Sequence, residues 1–376
     1  MHIFFCGIGG SGLSGLAHLA LDLGFVVSGS DLQNSQNIEE LTVRGATIFL
    51  EQKDSQNIKN LNQTQKIDWF VQTAAIQSNH PELQFVQDLQ KLQKKQDGQK
   101  SVLKPNSKDY QKIPNILSQK QDNSIIKITK RDQFINFVIT KKNLKLIAIA
   151  GTHGKTTTTG MLVWLFQKLE IPVSYLVGSN ITFGNSGQFQ EKSKYFVLEC
   201  DEFDRNFLRF YPEIAIIPSL DYDHPDTYPT LEDYNEAFRQ FLNQTTNQII
   251  PANGVVEKLR KTTEKKQFFE NRVVKIAGGF GNSESLGKIN LIGLHNRCNA
   301  ELVLFAISIV LELKSDKKSL ELGFETYNLY HKINTFPGTD RRFQKIGENI
   351  YSDYAHHPSE IAATLELAQS LVNSMK

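Results

Sequence analysis

Cysteine is scarce and scattered. Cys6, Cys200 and Cys298 are the only three and none shares CxxC spacing with another, so neither a disulfide framework nor a zinc site of that type is available, and a reducing cytoplasm is the expected compartment. An excess of charge is missing as well. The 42 lysines and arginines face 40 acids, too even a balance to gather nucleic acid or an anionic membrane by its field. Neither partner is expected, and any anion must be caught locally. No apolar run approaches the roughly 20 residues that cross a bilayer. The opening MHIFFCGIGG lacks the basic segment and long apolar core of a secretory leader. Internal repeats are absent. With 376 residues the chain still outgrows a single hydrophobic core, which stops growing near roughly 250–300 residues, and two or three domains are expected.

What is present reads as α/β. HIFFCGIGGSGLSGLAHLALDLGFVVSGSD is a short apolar strand, a glycine-rich turn, a helix over about Ser11–Leu23 and a strand at Phe25–Ser28. Trp69–Thr73 reads as another buried strand ending at a loop. Between about 87 and 124 the chain turns to Gln, Lys, Asn and Asp with few apolar anchors, read as a solvated polar insertion or linker. A second α/β pattern starts at LKLIAIAGTHGKTTTTG and resumes with the apolar runs YFVLEC and IAIIPSL, as parallel strands buried on both faces do. An apolar-faced helix covers Leu294 to Leu313, and a new segment opens at FPGTDRRF. The expected division is 1–125, 126–335 and 336–376.

Two loops carry phosphate chemistry. Gly7, Gly9 and Gly12 form G-x-G-x-x-G between strand and helix, with Asp31 downstream, which lets backbone amides at a helix N-terminus approach a diphosphate. In GTHGKT only two residues separate the glycines, where the usual Walker A loop has four. The physics survives the shortening: successive amides make an anion nest, Lys155 offers a point charge to the β and γ phosphates, and Thr156 offers a hydroxyl to Mg2+. The guanine-reading N-K-x-D motif is missing, so ATP is the expected nucleotide. Glu199 ends an apolar strand at ECDEFD and is the expected magnesium ligand among four carboxylates. His224, delivered by the next strand, is a candidate metal or phosphate contact. The paired arginines and histidines of FPGTDRRF and AHHPSE suit an anionic substrate.

GIGGSGLSGLA, SGSD, GTHGKTTTT, ECDEFD, DYDHPDTY, HNRCNA and RRF…SDYAHHPSE occur in this order along nearly the whole chain, and together they resemble the Mur ligases of peptidoglycan synthesis, most closely the branch that adds L-alanine to UDP-N-acetylmuramate. The resemblance implies a Rossmann-like N-terminal domain, a central P-loop ATPase domain with a mostly parallel sheet, and a third α/β domain. It implies an ATP- and Mg2+-dependent amide-forming ligase, cytoplasmic, monomeric or homodimeric. UDP-sugar contacts carry over to Gly9, Gly10, Ser11, Gly12, Ser30, Asp31 and Thr73. Nucleotide contacts carry over to Gly151, Thr152, His153, Gly154, Lys155, Thr156, Thr157, Asn296, Arg342 and Asp353. Thr156, Glu199 and His224 become metal ligands, with Lys155, Glu199 and His224 at the chemistry, and Tyr354 and His356 fall in the amino-acid pocket. A bridging lysine found in several relatives has no counterpart, since residues 225 to 248 contain none. The chain ends at Lys376, short of a complete third domain of such enzymes, so a fragment or an impaired enzyme is also expected. Two alternatives stay open: a ligase that recycles a ready-made tripeptide, and a catalytically silent nucleotide- or UDP-sugar-binding protein.

Overall fold

The computed structural model describes residues 1–52, 54–73, 75–102, 125–260, 272–273, 286–313 and 323–374. They group into two compact units, 1–134 and 135–376.

The first unit is built on a parallel sheet of order β3-β2-β1-β4-β5. Its strands are β1 (His2–Cys6), β2 (Val26–Asp31), β3 (Thr47–Leu50), β4 (Trp69–Gln72) and β5 (Lys127–Lys130), and its helices are α1 (Ser11–Asp22), α2 (Gln36–Val43), α3 (Gln56–Thr64) and α4 (Pro81–Val102). All of β1 is buried, as an apolar run at the centre of a two-sided sheet must be. Phe4 stacks on Phe70 with ring centroids 5.7 Å apart, and both pack with Ile58, Leu83 and Val86. β2 runs three residues beyond its expected end because pairing, not apolarity, recruits the extension: Gly29 and Ser30 stand opposite Phe5 and Cys6.

β5 pairs with β4 in the first sheet, so this unit passes the boundary expected at 125 and closes at Phe134, inside α5 (Arg131–Lys141). The polar stretch from 87 begins as helix, since α4 continues to Val102. Glutamine and lysine are good helix formers, and Val86 and Leu89 anchor the helix on the core. Residues 103–124 of that stretch lie outside the described ones.

In the second unit the sheet order is β11-β10-β6-β9-β7-β8. The strands are β6 (Lys145–Ile149), β7 (Val173–Leu176), β8 (Gly187–Gln188), β9 (Tyr195–Glu199), β10 (Ile214–Ile217) and β11 (Gln248–Pro251), all parallel except the β7–β8 pair. Around it lie α6 (Lys155–Lys168), α7 (Leu231–Gln244), α8 (Val255–Arg260), α9 (Leu294–Val310) and α10 (Leu329–Asn334). The core gathers Ile147, Ile149, Phe166, Val197, Ile216 and the apolar face of α9 from Ala300 to Ile307. β12 (Gln344–Gly347) and β13 (Ile350–Ser352) form an antiparallel hairpin followed by α11 (Pro358–Ser374). Expected as the start of a third domain, this segment belongs to the same compact unit as residues 135–335. Among the described residues, no helix is long and apolar enough to cross a membrane.

Candidate active site

The three central strands of the second sheet all deliver their functional residues at their carboxyl ends, where open α/β sheets bind ligands. Ile149 of β6 stands opposite Glu199 of β9 and Ile216 of β10. From β6 the chain enters Gly151–Gly154 and then α6. Gly154 has φ 77° at the N-cap, a left-handed conformation in which a Cβ would also fall 3.0 Å from the Asn299 amide, so glycine is required there. No side chain caps α6, and its first-turn N–H groups are available to an anion.

Lys155 is held from several sides. Its Nζ lies 2.9 Å from both carboxylate oxygens of Glu202, 2.5 Å from the Gly151 carbonyl and 3.2 Å from that of Thr152. Burial alone would push Lys155 down and Glu202 up. Their mutual attraction wins, so Lys155 is raised, Glu202 is lowered, and both are charged at neutral pH. His224 Nε2 stands 3.7 Å from Glu202 Oε1 and 3.9 Å from Asp223 Oδ2, and the bond to Glu202 raises its pKa. The His224 backbone is left-handed, φ 55°, an uncommon conformation for this residue that concentrates at functional loops. Thr156 donates its hydroxyl to Glu199 Oε1 at 2.9 Å, and the Gly178 N–H donates to Oε2 at 2.7 Å. At Gly178 a Cβ would sit 2.5 Å from that carboxylate, so the approach depends on glycine.

Beside α6 opens a cleft of about 550 Å³ lined by Gly154, Thr157, Asn296, Asn299, Phe336, Arg342 and Asp353, among others. Asn296, Arg342 and Asp353, distant in sequence, therefore line one cleft together with Gly154 of the loop before α6. Thr152 and His153 are fastened to the loop after β10: Thr152 donates to the Asp221 carbonyl at 2.6 Å, and the His153 N–H donates to Ser219 Oγ at 2.6 Å. His153 also lies 3.3 Å from Glu360 Oε1 and against the His357 ring, with centroids 4.5 Å apart. Burial would raise Glu360, but hydrogen bonds from His153 and the His356 N–H, together with the Arg342 charge, hold it down at about 2. Tyr354 and His356 are exposed and do not line the cleft. Sequence reasoning did not single out Glu202, Asn299 or Glu360.

In the first unit, the Gly7 and Ile8 amides donate to the Ser30 carbonyl at 2.8 and 3.0 Å, and the Gly9 amide donates to Asp31 at 2.8 Å. Gly10 is the N-cap of α1, which starts at Ser11 and Gly12 with no side-chain cap. Thr73 follows β4, beside Gly7. The Ser30 side chain is fully buried, donates to Glu82 at 2.6 Å and accepts from Gln52 at 2.8 Å. It supports the loop from beneath.

Two family descriptions match the chain: "Mur ligase family, catalytic domain" over residues 2–91 and "Mur ligase middle domain" over residues 149–307. The UDP-N-acetylmuramate–L-alanine ligase of Clostridium acetobutylicum is 32% identical over 398 residues, covering 98% of this chain and 74% of that protein. Among solved structures, the UDP-N-acetylmuramate-alanine ligase of Thermotoga maritima aligns with a TM-score of 0.67 at 21% identity, over 98% of this chain and 77% of that one. A murein peptide ligase of Psychrobacter arcticus aligns with a TM-score of 0.67 at 23% identity, over 99% and 76%. These two structures speak for the fold alone, whereas the identity and coverage shared with the clostridial enzyme establish kinship: the chain belongs to the Mur ligase family.

Proposed function

We propose that the chain is an ATP-dependent ligase that joins L-alanine to the carboxylate of UDP-N-acetylmuramate, a step of peptidoglycan precursor synthesis. The observation that carries this reading is the Lys155 ammonium, fixed by Glu202 and two loop carbonyls at the uncapped N-terminus of α6. A charge so placed serves the terminal phosphates of ATP, with the adenosine in the adjoining cleft against Asn296, Asn299, Arg342 and Asp353. The glycine loop of the first unit, its Gly9 amide held by Asp31, takes the diphosphate of the sugar nucleotide.

A carboxylate is a poor acyl donor until it is phosphorylated. Transfer of the γ-phosphoryl group to the sugar-borne carboxylate gives an acyl phosphate and ADP. The amine of L-alanine then attacks the acyl carbon and expels phosphate. Lys155 screens the two anions as they meet, and Glu202 keeps the ammonium charged and aimed. Magnesium fits this site: Thr156 and Glu199 offer hard oxygen donors, and among the described residues Glu199 has no basic side chain within ion-pair distance, its two oxygens being taken by a hydroxyl and an amide. Thr156 and Glu199 would hold the ion, with His224 at a second position. When bound, it would neutralise phosphate charge. Tyr354 and His356 belong with the amino acid in this reading.

ADP release with UDP-N-acetylmuramate is the test, comparing L-alanine, the tripeptide and no acceptor. Release that requires L-alanine bears the proposal out. Release that requires the tripeptide, or no release with any acceptor, overturns it.

A further inference from the structure

Beneath the glycine loop, the end of β1 and the start of α4 bring together a thiol, an imidazole and a carboxylate that the ligase chemistry does not use. Cys6 Sγ lies 3.1 Å from Glu82 Oε2 and 3.9 Å from His80 Nδ1, and the three donor atoms all fall within 4.8 Å of one another. The local sequence fixes this arrangement. Pro81 opens α4, where its fixed φ suits the first helical position, and His80 and Glu82 flank it on the first turn. Cys6 is the last residue of β1. Cys6 and Glu82 are fully buried, whereas His80 is partly exposed, which leaves a route for a small ion on the histidine side.

A second observation points to a ligand. Glu82 Oε1 is buried without a hydrogen-bond partner, and the other oxygen is met only by the neutral Ser30 hydroxyl and Cys6 thiol. A buried carboxylate left in that condition is costly unless a proton or a cation joins it. Around the cluster stands the kind of outer support that orients metal ligands: Ser30 donates to Glu82 at 2.6 Å, while the Gln52 amide donates to Ser30 at 2.8 Å and to Cys6 at 3.5 Å.

We propose that Cys6, His80 and Glu82 bind one Zn2+ ion, with water in the fourth position, and that the ion braces the strand end from which the glycine loop departs. Bond lengths of roughly 2.0–2.3 Å to nitrogen, oxygen and sulfur place tetrahedral donors roughly 3.3–3.8 Å apart, so the three side chains need to move by no more than about 1 Å to close on the ion. A thiolate with an imidazole favours zinc over magnesium or calcium. The cluster lies wholly within the first unit, apart from Lys155 and Glu199.

The full-length chain, stripped with a chelator, is titrated with Zn2+ in competition with a chromophoric chelator, and with Co2+ followed by its thiolate-to-cobalt charge-transfer absorption. One equivalent should bind, with the charge-transfer band present and the melting temperature rising with Zn2+ concentration. Cys6→Ser should lose the band although Cys200 and Cys298 remain. His80→Asn, at a partly exposed position, should keep the fold and lose at least about 10-fold in affinity, the lower end of what even an outer-shell loss costs. Equal zinc affinity in wild type and His80→Asn, or no charge-transfer band in the wild type, or a band unchanged in Cys6→Ser, overturns the proposal. If Cys6→Ser does not fold, His80→Asn alone decides.

Discussion

Both units place a glutamate, almost wholly excluded from water, beside a strand–glycine loop–helix junction, and the two acids behave in opposite ways. Glu202 meets Lys155 and His224, and its pKa is lowered despite burial. Glu82 meets only Ser30 and Cys6 through its carboxylate, and burial raises it. The loops are alike in backbone logic, so the difference lies in what stands behind them. The second loop carries its own fixed cation, as phosphoryl transfer requires. In the first loop the Gly7 and Ile8 amides go to the Ser30 carbonyl and the Gly9 amide to Asp31. The basic side chain beside it is Arg131, next to Gly12, and among the described residues no carboxylate is paired with it as Glu202 is with Lys155. A buried carboxylate therefore marks the chemistry here only when a basic partner keeps it charged.

The largest effect expected from breaking this comparison is that of Lys155→Met. Turnover should fall by about 10³-fold or more, the range seen when a cation on a transferring phosphoryl group is removed. Glu202, left buried with His224 as its remaining basic partner, should cost up to about 3–5 kcal/mol of stability. UDP-sugar affinity, measured by calorimetry, should stay near wild type because that loop belongs to the other unit; its loss would contradict the division of labour. Glu202→Gln should cost a similar stability with a smaller fall in turnover, about 10²-fold, since the ammonium remains but is no longer aimed. In the double variant, Lys155→Met with Glu202→Gln, no buried charge is stranded, so stability should largely return while activity does not. A double variant as unstable as either single one would show that the pair is not the unit described here.

Next in size comes Glu360, tied to the phosphate loop through His153. Its carboxyl is held at about 2, below the usual 4.5, so it stabilises the fold fully above about 4.5 and ceases to do so as pH falls through about 2. Hydrogen bonds to a charged group contribute about 1.5–3 kcal/mol. Glu360→Gln should lower the melting temperature at pH 7, and the gap from wild type should close between pH 4.5 and 2. A gap that does not change over that range would mean that the ion pair is not what holds Glu360.

Local features were legible in the sequence. Both loops, the strands feeding them and the start of α6 are set by contiguous residues, and Glu199 falls where the apolar run ends. Glu202 was not legible: it is one of four acids in six residues, and only the fold around it decides which acid meets Lys155. Asn299 and Glu360 reach the loop from segments far along the chain, and no spacing announces that. The inward turn of the Ser30 side chain follows from strand geometry. Neighbours in a strand point to opposite faces, so when Asp31 turns to the loop its neighbour must turn to the core. The stretch from 87, read as a solvated insertion or linker, begins as helix because a polar composition excludes a core position but not a helix.

The smallest expected effect sharpens the comparison most. Glu82→Gln preserves shape, and a glutamine carbonyl can accept from Ser30 and Cys6 as Oε2 does. Its amide takes the place of an oxygen that already lacks a partner. No ion pair is broken, so in the presence of a chelator the change in stability should be within about 1 kcal/mol of zero, the scale of ordinary hydrogen-bond exchanges. The same substitution at Glu202 strands a charge and should cost several times more. Denaturant unfolding of the two variants side by side reads the difference directly. Equal losses would mean that Glu82 has a cationic partner even without metal, and the contrast between the two loops would disappear. Added zinc should then stabilise the wild type and leave Glu82→Gln nearly unchanged, because only the carboxylate can close the three-ligand set around the ion.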